Sequence, residues 1–410
     1  MRLSRMSKPL LHVAAVLSVV ALAASVLSAQ SAADTSGRKR IPKAYLAVFM
    51  NGYGSDTMPA DDAQFDKMLA AIVKDGHFNA IMCQYSPTRE EMCKKHNVYM
   101  VVDLLAFPHV YKNVAECEAL LKKLQDSTTV AAYHLWSDRF GKQGAGRARD
   151  IDTVHKWDPN HATWSGTYTG EHIRYLGKSD LVGNYDFSWQ RGPHKNYTNL
   201  MAQWRVAKPN DTRLSRYCGA TVGQVGKGNF NRLLYIQTTS IAFGLRAATW
   251  HIASGIFDFN TCQFNEAGKE LAKMNAWIEP MREEIAKIGL PDAIYSTPWT
   301  KNQNNEPVEG KDVMPPAMGN DNKFPADFWL QPQSGEFVMG VSKYNYTDQD
   351  VVFIANHNAY AEQDVKIKTT KSSKPKLFNR ATGKYEELKL TDGAFSFKLE
   401  AGGGAIVLFE

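Results

Sequence analysis

From Tyr45 onward, short apolar runs alternate with segments whose apolar residues recur at helical spacing. The strand candidates are Tyr45–Asn51, Asn79–Gln84, Val98–Asp103, Val130–Trp136, Ala162–Tyr168, Asp180–Asp186, Leu214–Gly219 and Ala247–Ile252. Helical candidates include Ala63–Lys74, Pro87–His96, Val114–Gln125, Lys195–Val206 and Phe230–Phe243, with Glu266–Ile288 the longest. Eight strand-then-helix units over about 245 residues are the number and size of a closed (β/α)8 barrel, here spanning residues 44–290. A doubly wound open sheet is the competing arrangement. It ordinarily carries a glycine-rich phosphate turn after its first strand, and Asn51-Gly52-Tyr53-Gly54-Ser55 is not one.

Beyond Leu290 the pattern changes. Residues 291–328 are rich in Pro, Asn and Gly and read as a linker or long loop. Short alternating strands follow: Phe337–Lys343, Val351–Asn356, Val365–Thr369, Lys376–Asn379, Glu386–Leu390, Phe395–Leu399 and Ala405–Phe409. Turn signals such as Thr382-Gly383 and Thr391-Asp392-Gly393 separate them, so residues 329–410 read as a small antiparallel β-sandwich.

The first 33 residues do not belong to either domain. Arg2, Arg5 and Lys8 precede an apolar run from Leu10 to Leu27, and small residues follow from Ser28 to Ala33. That order is a secretory signal peptide and implies a secreted or periplasmic protein. An uncleaved anchor is the rival, but His12, Ser18 and Ser25 interrupt the run, and no stable membrane insertion is expected after cleavage. The chain of 410 residues carries a formal charge of +6, and loss of this segment lowers it to +3. Nothing in that balance points to nucleic acid. At 44% hydrophobic and 22% charged residues the chain can bury a sizeable core. The five cysteines are odd in number, scattered and free of C-x-x-C pairs, which is no disulfide framework. Cys83 and Cys218 read as small buried hydrophobes, while Cys93 and Cys117 fall on consecutive helices where an oxidising compartment would allow a bridge.

A barrel of this kind gathers function where its strands end and the following loops begin. The polar and aromatic residues there are Asn51 after strand one, Asp103 after strand three, His134, Trp136 and Asp138 on strand four, Tyr168 after strand five, Tyr185, Asp186 and Trp189 after strand six, and His251 on strand eight. Period-two alternation puts Ala132, His134, Trp136 and Asp138 on one face, and Asn184 and Asp186 together on another. Should both faces look inward, two carboxylates would meet at the barrel mouth, flanked by aromatic rings. Glycosidic cleavage needs such a pair: one acid protonates the leaving oxygen, and the other activates water or attacks the sugar. Plainer roles compete. A strand-end Asp often caps the next helix, a strand His is commonly a core residue, and Trp136, Trp189 and Trp250 could fill the barrel mouth. The histidines lack metal-ligand spacing, no Gly-x-Ser-x-Gly elbow occurs, and neither a metal nor another cofactor is implied.

The segment Val130-Ala131-Ala132-Tyr133-His134-Leu135-Trp136-Ser137-Asp138-Arg139 resembles strand four of exported bacterial TIM-barrel glycoside hydrolases related to β-galactosidases, where Gly-Tyr-x-Leu-x-Asp-Glu-Pro delivers an acid/base glutamate. Asp180–Asp186 looks like the matching strand six, Leu245–Trp250 looks like strand eight, and Leu377–Gly383 with Ala401–Ala405 resembles the small sandwich that closes such enzymes. The resemblance implies a carbohydrate ligand, with Asp138 in the acid/base slot and Asp186 near the sugar; without the family's nucleophile, these two are the expected catalytic pair of an inverting reaction. Trp136, His134, Tyr185, Trp189, Asp103, Asn51, Tyr168 and His251 would line the sugar site. One departure bears on activity. Ser137-Asp138-Arg139 stands where the pattern has Asp-Glu-Pro, which draws the carboxyl back by about 1.5 Å, one methylene. Strand seven ends in Cys218-Gly219 with no glutamate. The expectation is therefore a hydrolase acting on an extracellular oligo- or polysaccharide, with a non-catalytic sugar-binding barrel as the alternative.

Overall fold

The computed structural model describes residues 42–50, 61–104, 114–136, 144–167, 178–185, 193–219, 230–251, 253–298, 322–344, 347–371 and 374–410. The expected export segment, Met1–Ala33, lies outside them. No helix among the described residues is long and apolar enough to cross a membrane.

Eight parallel strands close into a barrel: β1 (Leu46–Met50), β2 (Ala80–Cys83), β3 (Tyr99–Asp103), β4 (Val130–Trp136), β5 (Ala162–Thr167), β6 (Leu181–Tyr185), β7 (Arg213–Gly219) and β8 (Leu245–His251). Pairing of Val48 with Thr249 joins the first strand to the last. Around them run α1 (Asp62–Lys74), α2 (Pro87–Lys95), α3 (Val114–Leu124), α4 (Gly144–Trp157), α5 (Pro193–Ala207) and α6 (Phe230–Ala242). Local chemistry starts these helices where the pattern placed them. Asp61 caps α1 by accepting from the Gln64 N–H at 2.7 Å, and Phe65, Met68, Leu69 and Ile72 form its buried stripe. Ser86 caps α2, with Pro87 in the first turn, where its missing N–H costs nothing.

After β8, a two-stranded ribbon of β9 (Phe257–Asp258) and β10 (Gln263–Phe264) leads into α7 (Glu266–Ile278). The single helix expected over Glu266–Ile288 is broken in two. Pro280 sits in a 3-10 turn, Glu279–Met281, and α8 (Arg282–Lys287) resumes beyond it. Proline cannot donate to the preceding turn, so the ladder is interrupted there.

The C-terminal sheets face each other as a sandwich. One carries β11 (Ala293–Ser296), β13 (Phe337–Lys343), β14 (Asp350–Asn356), β19 (Gly404–Phe409), β16 (Pro375–Asn379) and β17 (Lys384–Glu387), in that order across the sheet. The other carries β12 (Leu330–Ser334), β15 (Gln363–Thr369) and β18 (Ala394–Leu399). The span read from sequence as a linker thus contains one strand, β11, which pairs antiparallel with β13. The strand expected at Glu386–Leu390 lies instead at Lys384–Glu387, immediately after the Gly383 turn.

Barrel and sandwich share a tight joint. Every residue of α6 from Leu233 to Ala242 is buried, as expected of a helix covered on both sides. The Thr238 hydroxyl donates to the Gly402 carbonyl at 2.8 Å, and a Cβ at Gly340 would run into the Ala242 carbonyl. Beside it, the buried His357 ring shares hydrogen bonds with the Tyr197 hydroxyl (2.8 Å) and the Ser296 hydroxyl (2.5 Å), linking α5, β11 and the end of β14. All five cysteines are free thiols, including Cys93 and Cys117, and Cys83 and Cys218 are buried.

Candidate functional site

Two layers of side chains follow from strand alternation. Odd-numbered positions of β3 and even-numbered positions of β4 and β5 point to the barrel axis, together with odd-numbered positions of β6 and β7. The inner layer holds Val101, Ala132, Ala162, Trp164, Leu181, Tyr217 and Ala247, while Val102, Tyr133, Val182, Cys218 and Trp250 pack outward against the helices. Trp250, read from sequence as a possible mouth filler, therefore belongs to the barrel–helix layer.

The inner layer turns polar toward the C-terminal ends of the strands. Asp103 ends β3 and sits beside His134 of β4 in register. The His134 Nδ1 lies 3.0 Å from the Asp103 carboxylate. In the tautomer that donates Nδ1–H to that oxygen, Nε2 is an acceptor, and in the doubly protonated ring it is a donor. Its ring is 6.4 Å from Trp164 and 5.9 Å from Tyr217, and those two rings are 5.6 Å apart. All three are fully buried, whereas Asp103 keeps 7% of its surface exposed. Tyr217 can lean across the axis because Gly166 and Gly183 face it: a Cβ on either would overlap its ring. Among the described residues, His134 Nε2, Trp164 Nε1, Ser215 Oγ and Thr249 Oγ1 are buried without a hydrogen-bond partner. Burying such atoms unpaired costs about 1–3 kcal/mol each.

The outer layer fixes the strands that carry this cluster. Between His134 and its neighbours, Tyr133 points outward and donates to Asp158 at 2.5 Å, and His161 reaches the same carboxylate oxygen at 2.7 Å. Burial alone would raise Asp158, but the hydrogen bonds from His161 and Tyr133 hold it below the usual carboxylate range. On β5, the Thr163 N–H donates to Asp180 at 2.8 Å, and His155 of α4 contacts the same oxygen at 2.8 Å. These pairs brace β4 and β5 from outside, so the inward His134 and Trp164 have little freedom.

Of the expected site residues, Asp103 and His134 are brought together. Trp136, Tyr185 and His251 are described in the backbone only, at the C-terminal ends of β4, β6 and β8. Asn51, Asp138, Tyr168, Asp186 and Trp189 lie outside the described residues. Along the described part of β6, Leu181 faces the axis and Val182 the helices. Trp164, Tyr217, Ser215 and Thr249 escaped the sequence reading, which looked only at strand ends. The alternations Ala162/Trp164/Gly166 and Ser215/Tyr217/Gly219 carried the signal. No group of three or more His, Cys, Asp or Glu among the described residues is placed to hold a metal ion.

The architecture has clear parallels. A family 5 glycoside hydrolase from Bacteroides vulgatus superposes with a TM-score of 0.50 at 12% identity, covering 92% of each chain. An Anoxybacillus α-amylase gives 0.49 at 10% identity over 89% of this chain and 97% of its own. A further glycoside hydrolase gives 0.49 at 11% identity over 91% and 97%. No family model matches the sequence, and no curated relative matches it either. The chain therefore has a glycoside-hydrolase-like fold: a closed eight-stranded parallel barrel joined to a C-terminal sandwich. At these identities the likeness is one of fold.

Proposed function

We propose that the chain is an exported glycoside hydrolase acting on an oligo- or polysaccharide at the C-terminal mouth of the barrel. The observation that carries this reading is the Asp103–His134 pair, buried at the strand ends beside Trp164 and Tyr217, with Nε2 unpaired among the described residues. A sugar offers what such a floor lacks, namely hydroxyl groups that both donate and accept, and C–H faces that suit aromatic rings. Asp138, in the acid/base slot of the pattern that the sequence resembles, serves as the general acid. Asp186 serves as the general base, activating water for an inverting displacement. Asp186→Asn tests the base separately from the acid.

The reading is tested by reducing-sugar release over a panel of polysaccharides, measured beside retention of the protein on the same polymers. Release by the wild type and its loss in Asp138→Asn support it. A protein that neither releases sugar nor is retained by any polymer contradicts it. Retention without release would establish a second reading, a sugar-binding barrel without catalysis. One specific feature favours that alternative: Asp138 stands one methylene short of the glutamate in the pattern it resembles. Export is tested by mass spectrometry after expression in a bacterium with intact secretion. The new N-terminus is expected between Ser28 and Asp34, and a full-length cytosolic chain would contradict it.

A further inference from the structure

A depression lies where the end of α7 meets the sandwich. It is a half-open groove of about 500 Å³, within the range of small-molecule sites. Its barrel-side wall is Trp277, and its sandwich side includes Leu377, Arg380, Glu386, Lys398 and Glu400. The wall is rigid. The Trp277 indole N–H donates to Glu400 at 2.6 Å, the Arg380 guanidinium stacks over the indole at 3.9 Å, and Arg380 donates to the same Glu400 at 2.6 Å. Asn379 holds Glu386 through one carboxylate oxygen at 2.7 Å.

The groove has more hydrogen-bonding capacity than the protein uses. Arg380 carries five N–H groups and donates to Glu400 and, at 3.5 Å, to the Trp277 carbonyl. Lys398 lies 3.7 Å from Asp364 and is largely exposed. Glu386 accepts from Asn379 and Thr382 through one carboxylate oxygen and is exposed. The charges also balance, with Arg380 and Lys398 against Glu386 and Glu400. A phosphate or a polyanion would meet two carboxylates, and a polycation two basic groups. An uncharged polyhydroxyl ligand meets donors and acceptors side by side over an apolar base.

We propose that this groove is a second carbohydrate site, binding an uncharged stretch of the polymer handled at the barrel mouth. It rests on the carbohydrate reading of the barrel and adds a site that holds the protein on its substrate. Both Glu386 and Lys398 are solvent-exposed, so Glu386→Gln combined with Lys398→Met leaves the fold intact. The experiment compares wild type, this double variant and Asp138→Asn on a panel of neutral polysaccharides by affinity electrophoresis, with hydrolysis of short soluble oligosaccharides measured in parallel. The double variant should lose at least about tenfold in retention while cleaving short oligosaccharides as the wild type does. Asp138→Asn should keep its retention. A double variant retained like the wild type overturns the groove and leaves the barrel reading standing. Loss of retention in the double variant, with no cleavage by the wild type, overturns hydrolysis and leaves the groove. A wild type retained by no polymer overturns both.

Discussion

Inside the sandwich, the core is built on Leu330, Phe337, Met339, Val352, Ile354, Val365, Ile367, Phe395, Val407 and their neighbours, with Ser342 of β13 a buried polar residue of the same sheet. Inside the barrel, an equally buried core ends in Asp103, His134, Trp164, Ser215, Tyr217 and Thr249, several with polar atoms unpaired among the described residues. Both interiors are assembled by strand alternation, so the difference is not one of architecture. It lies in the chemistry: the sandwich interior is mainly apolar, whereas the barrel interior gathers an Asp–His pair, hydroxyls and aromatic rings.

That contrast can be broken most forcefully in the sandwich. Phe337→Ala, at a fully buried position, should cost about 3–5 kcal/mol in urea unfolding. A loss below about 1 kcal/mol would show that the sandwich core is not what stabilises this end of the molecule.

The joint between the two regions supplies the next test. Burial pushes His357 down to about 3, although a backbone hydrogen bond at Thr297 works the other way. The folded protein therefore keeps this ring neutral, while the unfolded chain takes up a proton below about pH 6.5. Its contribution is complete above that pH and is lost as the pH falls from about 6.5 toward 3. The effect is on the order of a few kcal/mol. Urea midpoints at pH 7 and pH 4.5 should differ by more in the wild type than in His357→Gln. Equal differences would remove His357 from the account.

At the barrel mouth, Asp138→Asn should reduce hydrolysis by about 100-fold or more with little change in sugar retention. Were Asp138 only a helix cap, Asn would cap almost as well and neither quantity would move. The smallest of these effects concerns the glycines under Tyr217. Gly183→Ala would push against that ring, and such overpacking costs about 1–3 kcal/mol. Because Tyr217 adjoins His134, sugar affinity should weaken along with stability. Unchanged affinity would detach the ring cluster from the ligand site.

The barrel was legible because its signal is local and repeated: each strand is a short apolar run, and each helix shows a stripe or a cap such as Asp61 or Ser86. β11 and β12 were not, since Ala293–Ser296 and Leu330–Ser334 are short, and the second contains a proline and three polar residues. Their strand character comes from partners β13 and β15, which are distant in sequence. Within the site, Asp103 and His134 were found because both lie near strand ends. Their pairing depends on the register between β3 and β4, which no local pattern states. Trp164 and Tyr217 sit mid-strand, where an aromatic residue reads as ordinary core, and only the facing Gly166 and Gly183 show that a ring crosses the axis.

The central claim is that the polar floor of the barrel is kept for a sugar and not for the fold. Replacing both partners of a buried polar pair with apolar groups is often neutral or stabilising, whereas removing one leaves the other unpaired. The decisive measurement is the combined Asp103→Leu and His134→Leu variant, assayed for urea stability and for polysaccharide retention and cleavage. The account predicts stability within about 1 kcal/mol of the wild type and a loss of about 100-fold or more in cleavage. A variant that unfolds readily yet, while folded, binds and cleaves as before would contradict it.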